Sequence, residues 1–146
     1  MCSMRVLGLD IGSKRIGIAV SDELGLTAQG VETLVRRDLD SDLDRIAGIV
    51  GKYSIEEIVV CVPYNMDGSE GPQARTVREM IGRIAHRVCV LVQEWDERLS
   101  TVAAERALLE ADMSRSKRRK VVDKVAAVII LQAYLDRLHV EVNRSL

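Results

Sequence analysis

The chain has 146 residues, 47% of them hydrophobic, and a formal net charge of −1; that length suits one domain over 1–146, able to bury roughly 70% of its unfolded surface without staples. No apolar run is long enough to cross a bilayer and the start has no signal-peptide pattern, so no membrane partner and a cytoplasmic location are expected. His86 and His139 are the only histidines and lie far apart in sequence, which leaves little material for histidine-dependent nucleophilic or zinc mechanisms, so any chemistry would rest on carboxylates.

The run Gly8-Leu9-Asp10-Ile11-Gly12-Ser13-Lys14-Arg15-Ile16-Gly17 predicts a hairpin. Its strands cover 5–11 and 15–21, rich in β-branched and small apolar residues, with Gly12-Ser13-Lys14 as the turn. A third strand over 27–35 would complete an antiparallel meander. Helical spacing of Leu39, Leu43, Ile46, Ala47, Ile49 and Val50 follows over about 40–53, then the continuous apolar run Ile58-Val59-Val60-Cys61-Val62, which reads as a strand buried on both faces. Pro63 closes it. A turn-rich loop then leads to a helix over about 73–86 and a fifth strand over 88–92. Ser100 or Thr101 can cap a helix to about Ala111, and a last helix covers about 119–139. The order βββαβαβαα implies an α/β fold with a mixed five-stranded sheet, antiparallel at first and parallel in its later strands, flanked by helices. Cys2, Cys61 and Cys89 fit no zinc spacing, and the latter two read as core residues in strand-like runs.

Asp10 is the informative residue, because an ionised carboxylate in an apolar strand needs compensation from a donor, a basic partner or a metal ion. Turn amides, Lys14 or Arg15 could supply it, and so could a metal. In open α/β sheets functional groups gather where strands end, which selects Asp96 or Glu97 beyond the fifth strand. Neighbours in extended backbone face opposite ways, so one of the two would face the site. Asp123 falls in the first turns of the last helix, where the dipole favours an anion and Ala126 and Ala127 permit close packing. Three such acids suit two hard divalent cations, Mg²⁺ or Mn²⁺, which clamp the attacking and leaving oxygens of a phosphodiester.

Arg115, Lys117, Arg118, Arg119 and Lys120 crowd just before Asp123 with no intervening acid, a local positive field suited to a polyanionic backbone. Aromatic content of only 3% argues against a base-stacking platform and for recognition of backbone and shape. The loop containing Asn65, Gly68 and Ser69 could offer amides to a phosphate, or be an ordinary connection.

Four blocks in order then become recognisable. They are the hairpin run above, Pro63-Tyr64-Asn65-Met66-Asp67-Gly68-Ser69-Glu70-Gly71, Asp96-Glu97-Arg98-Leu99-Ser100-Thr101, and Asp123-Lys124-Val125-Ala126-Ala127. Together they make the chain resemble, almost end to end, the YqgF family of ribonuclease H-like proteins, described as Holliday-junction resolvases and as pre-16S ribosomal RNA nucleases. The resemblance implies a ribonuclease H-like fold, carries the catalytic and metal-binding acids onto Asp10, Glu97 and Asp123, and so selects Glu97 over Asp96. Lys14, Arg15, Arg98 and the basic stretch would contact nucleic acid. The family's glycine and leucines near the end of the fourth strand are replaced here by Cys61-Val62-Pro63-Tyr64.

The expected activity is that of a divalent-metal-dependent endonuclease on structured nucleic acid, with precursor 16S rRNA preferred over a DNA junction on the strength of the resemblance. A non-catalytic nucleic-acid-binding module is the alternative of another class. An actin-like ATPase, suggested by the hairpin alone, is disfavoured by length. Monomer and homodimer are both compatible with the sequence.

Overall fold

The computed structural model describes residues 5–112 and 115–145, and the side chains at 109–112, 115–121 and 142–145 lie outside the described residues. The chain runs β1 (Val6–Ile11), β2 (Arg15–Ser21), β3 (Ala28–Val35), α1 (Leu39–Lys52), β4 (Glu57–Val62), α2 (Pro72–Arg87), β5 (Leu91–Asp96), a 3-10 turn (Glu97–Leu99), α3 (Val102–Asp112) and α4 (Arg115–Ser145). The sheet order is β3-β2-β1-β4-β5. β1, β2 and β3 pair antiparallel, and β4 runs parallel to both β1 and β5. The expected mixed α/β sheet, with its meander followed by parallel crossovers, is the one found.

Alternation along the strands divides the core into two layers. Leu7, Leu9, Ile11, Ile16, Ile18, Ile58 and Val60 face α1 and α2. Val6, Ala19, Val59, Cys61 and Trp95 face the other way, toward α3 and α4. Helix α1 starts where the Ser41 amide donates to the Asp38 carboxylate at 2.8 Å, an N-cap. It turns Leu43, Ile46 and Ile49 inward. α2 opens on Pro72, whose missing amide costs nothing at the first helical position, and buries Ala74, Val77, Met80 and Ile84. Trp95 meets Tyr134 edge-on at 5.8 Å, which ties β5 to α4.

Helix α4 lies against β2, β3 and β1 through Val122, Ala126, Ala127, Ile130, Leu131, Tyr134 and Leu135, all buried. Its approach is closer than ordinary side chains permit. A Cβ at Gly17 would stand 1.9 Å from the carbonyl oxygen of Asp123, one at Gly8 2.8 Å from the Leu131 Cβ, and one at Gly30 2.7 Å from the Lys124 Cγ. Each of the three meander strands thus offers a glycine to one helix.

Two boundaries differ from the sequence reading. The fifth strand begins at Leu91 rather than Val88, since α2 runs through Arg87 and the Val88 amide still donates to the Ile84 carbonyl at 2.9 Å. Its parallel ladder with β4 pairs Glu57 with Leu91 through to Val62 with Asp96. Cys89 therefore falls in the connection and is exposed, while Cys61 is buried as expected. The last helix begins at Arg115 and ends at Ser145. That start puts Asp123 in its third turn, where the terminal dipole has faded, so close packing rather than the dipole sets its place.

Asp42 is the one charged residue described as fully buried. Burial raises its pKa, but the Arg37 amide and the guanidinium groups of Arg45 and Arg36 outweigh that and hold the carboxyl below the usual range. Arg36 Nε stands 3.3 Å away and the Arg37 amide 3.1 Å. The knot fastens the start of α1 to the end of β3.

Gly17→Ala is expected to destabilise the protein by about 3 kcal/mol or more, because its methyl group meets immovable backbone. Gly48→Ala, which meets nothing within 4 Å, should be neutral or stabilising by up to about 1 kcal/mol; urea titration compares the two. Asp42→Ala should cost about 3 kcal/mol, the low end for breaking a buried charged set, since both arginines reach water. The carboxylate's stabilisation is full above the unfolded-state pKa and lost as pH falls through the depressed folded-state value. Urea midpoints measured from neutral pH downward should therefore converge for the wild type and Asp42→Ala.

Candidate active site

Asp10 sits one residue from the end of β1 and points to the same side as Val6 and Gly8. Its cross-strand partner is Gly17, the position that admits the α4 backbone at Asp123. The register thus brings a carboxylate from strand and helix together. Glu97 comes from the third direction. β1, β4 and β5 are parallel neighbours, so the end of β5 reaches the same edge of the sheet as Asp10, and Glu97 opens the 3-10 turn directly after it. The alternation argument separates the two adjacent acids. Asp96 accepts from the Arg98 amide at 2.9 Å and pairs with its guanidinium at 2.7 Å, whereas Glu97 turns toward Arg106, with Oε1 3.5 Å from NH1.

Arg106, from α3, holds two of the acids at once. Its NH2 donates to Asp10 Oδ2 at 3.0 Å while NH1 faces Glu97. Asp123 has a separate partner, accepting from Arg15 Nε at 2.8 Å. Burial raises the Asp10 carboxyl to about 6, and the nearby negative charges of Asp123 and Glu97 add to it against the pull of Arg106. Asp10 therefore senses the charge of both other acids. Burial works against the charge on Arg106, but Asp10 and Glu97 outweigh it and keep the guanidinium protonated. Burial, followed by Asp10 and Glu97, pushes the neighbouring Cys61 thiol far up. A thiol so placed is no nucleophile near neutral pH.

Among the described residues no three acidic, histidine or cysteine side chains stand close enough together to hold a metal ion as they are placed. The donor chemistry still fits a hard divalent cation, because all three groups are carboxylates and oxygen donors suit Mg²⁺ and Mn²⁺. Arg106 bridges two of these carboxylates, Asp10 and Glu97.

The remaining sequence candidates fall into four groups. Lys14 is exposed in the turn after β1, and Arg15 beside it is taken up by Asp123. Arg98 is engaged by Asp96 and reaches the Met66 carbonyl at 3.3 Å. The loop of Asn65, Gly68 and Ser69 closes on itself. The Gly68 amide donates to the Asn65 carbonyl at 2.8 Å, the Asn65 amide to the Ser69 carbonyl at 3.0 Å, and the Ser69 amide to the Asp67 carboxylate at 2.9 Å. These amides are spent on the turn, with Gly68 at φ +86°. Arg115, Lys117, Arg118, Arg119 and Lys120 belong to the first turns of α4, and their side chains lie outside the described residues.

Sequence reasoning offered turn amides, Lys14 or Arg15 as a non-metal partner for Asp10. The partner is Arg106, 96 positions away. One signal was available. Arg106 is the only basic residue between Leu99 and Asp112 and lies one helical turn from Val102, which is buried, so it shares the inward face of α3.

Comparison with known proteins agrees with this architecture. The model of the RuvX family, described as a Holliday junction resolvase, matches residues 4–137. A Halothermothrix orenii protein named "Putative pre-16S rRNA nuclease" is 55% identical over 133 residues, covering 91% of this chain and 95% of its own. A Clostridium botulinum protein of the same name is 55% identical over 135 residues, covering 92% of this chain and 98% of its own. Among solved structures, Thermus thermophilus RuvC in complex with a Holliday junction substrate superposes with a TM-score of 0.59 at 15% identity, covering 92% of this chain and 96% of the other. That likeness establishes a shared ribonuclease H-like α/β fold. With its family model matched nearly end to end and relatives at half identity or better, the chain belongs to the RuvX Holliday junction resolvase family, the YqgF family to which its four sequence blocks pointed.

Proposed function

We propose that this chain is a divalent-metal-dependent endonuclease that hydrolyses phosphodiester bonds in structured nucleic acid, with precursor 16S rRNA as its substrate. The observation that carries this reading is the convergence of Asp10, Glu97 and Asp123 from β1, the end of β5 and α4, close enough for Glu97 and Asp123 to raise the Asp10 carboxyl. The names of the relatives at 55% identity support the RNA substrate. The family description supports a second reading, resolution of a four-way DNA junction.

Asp10, Glu97 and Asp123 would hold one or two Mg²⁺ or Mn²⁺ ions, which when bound would polarise the scissile phosphate and favour attack by water. Asp10 must be ionised to serve as a ligand, so its raised carboxyl disfavours loading in acid and favours it above about pH 6. Arg15 anchors the Asp123 carboxylate from the adjacent strand and keeps it at the site edge. The basic stretch Arg115, Lys117, Arg118, Arg119 and Lys120, immediately upstream of Asp123 in sequence, supplies positive charge for a phosphate backbone, and exposed Lys14 adds one at the hairpin turn. Monomer and homodimer both fit the RNA reading, whereas two symmetric cuts in a junction favour a dimer.

Purified protein with Mn²⁺ should cleave a precursor 16S rRNA fragment, and Asp10→Asn, Glu97→Gln and Asp123→Asn should each lower the rate by about 100-fold or more. Intact cleavage in the three variants would refute the assignment. Cutting of a four-way junction but not of the RNA would favour the resolvase reading. Salt-sensitive RNA binding without calorimetric uptake of Mn²⁺ would identify a binding module that does not turn over. Replacing Arg118 and Arg119 with alanine should weaken binding across RNA sequences and reduce the salt slope by about 1 for each phosphate that is no longer neutralised.

A further inference from the structure

The feature left over by the proposed chemistry is the seat of Arg106. Its guanidinium touches the carboxylates at the ends of β1 and β5, with NH2 3.0 Å from Asp10 Oδ2 and NH1 3.5 Å from Glu97 Oε1. A planar fork with fixed donors suits this bridging, where a lysine would act as a single point charge. Yet the seat is incomplete. Arg106 Nε is buried with no hydrogen-bond partner among the described residues, a cost that folded proteins seldom leave unmet. The side chain also keeps 30% of its surface exposed, so a route from the carboxylates to solvent is open to it. Arg15 holds Asp123 independently, so release of Arg106 would free Asp10 and Glu97 without disturbing the third acid's partner.

We infer that Arg106 is a resident counter-cation of the acidic site, which neutralises Asp10 and Glu97 until a divalent ion takes them over, and so sets the protein's metal affinity by competition. The inference rests on the reading of these acids as metal ligands. Without a positive charge between them, carboxylates from two strand ends would repel each other. The arginine relieves that repulsion and keeps the site edge folded. A divalent ion would compete for the same oxygens with twice the charge, and the guanidinium would then have to leave them. Arg106 is thus a positioning residue for Asp10 and Glu97, and its position on α3 couples that helix to metal loading.

Calorimetric titration of Mn²⁺ in the absence of nucleic acid tests this without recourse to cleavage. Arg106→Gln should bind Mn²⁺ about 10-fold more tightly than the wild type, because the competitor is gone. Its melting temperature in EDTA should fall below that of the wild type, and its gain in melting temperature on adding Mn²⁺ should be the larger of the two. Arg106→Lys keeps the charge but loses the bridge, so its Mn²⁺ affinity should lie between the two; it also serves as the reporter if the glutamine variant does not fold. Unchanged or weaker Mn²⁺ binding in these variants overturns the competition, since a merely structural arginine would give that result. If Mn²⁺ binds neither the wild type nor the folded variants, the metal-ligand reading fails along with the inference. If Mn²⁺ binds the wild type but Arg106→Gln shows no tighter binding, the inference alone fails.

Discussion

The close seating of α4 on a row of strand glycines is the constraint from which the rest of the molecule follows. Glycine within a strand weakens it by roughly 0.5–1 kcal/mol relative to alanine, and Gly8, Gly17 and Gly30 place that cost in all three meander strands. The return is the burial of a long helix face, with Ala126, Ala127, Ile130, Leu131 and Leu135 withdrawn from water, where each large aliphatic side chain contributes about 1.5–3 kcal/mol. The contact at Gly17 involves helix backbone rather than a side chain that could turn aside. It therefore fixes where along α4 the chain meets the sheet, and hence where Asp123 stands relative to Asp10, the residue paired with Gly17.

The same packing concentrates like charge. Asp10, Glu97 and Asp123 lie toward one edge of the sheet, where desolvation and the charges of Asp123 and Glu97 raise the Asp10 carboxyl to about 6. A cluster of this kind works against stability unless cations compensate it. Two arginines from different elements do so, Arg15 for Asp123 and Arg106 for Asp10 and Glu97. Asp42 makes the contrast. That carboxylate also meets two arginines, yet a backbone amide joins them and its pKa falls below the usual range. One acid is locked in its charged state as part of the scaffold. The other is raised by burial and by its acidic neighbours, with Arg106 as its counter-charge.

The edge strand β5 joins these two regimes. Its register with β4 places Asp96 at the last ladder position, and the tie between Trp95 and Tyr134 anchors it to the same helix that carries Asp123. Asp96 then closes the following turn through Arg98, which leaves Glu97 facing the site. Packing on α4 therefore disposes two of the three acids, Asp123 directly and Glu97 through β5.

Much of this was legible in the chain itself. Period-two alternation, the turn glycines and the helical spacing determined the order of elements and the mixed sheet, because those patterns report which face of each segment must be buried. The four sequence blocks marked the family, because short runs of unusual residues at strand ends carry chemical information locally. Tertiary structure decided the rest. The start of β5 depended on its ladder with β4 rather than on the apolar run from Val88, which leaves Cys89 exposed. The third-turn position of Asp123 depended on helix packing. The partner of Asp10 depended on α3 folding back across the sheet edge, so that an arginine 96 positions away became its nearest cation. Burial patterns are written residue by residue, whereas long-range charge pairing exists only once distant elements share a surface.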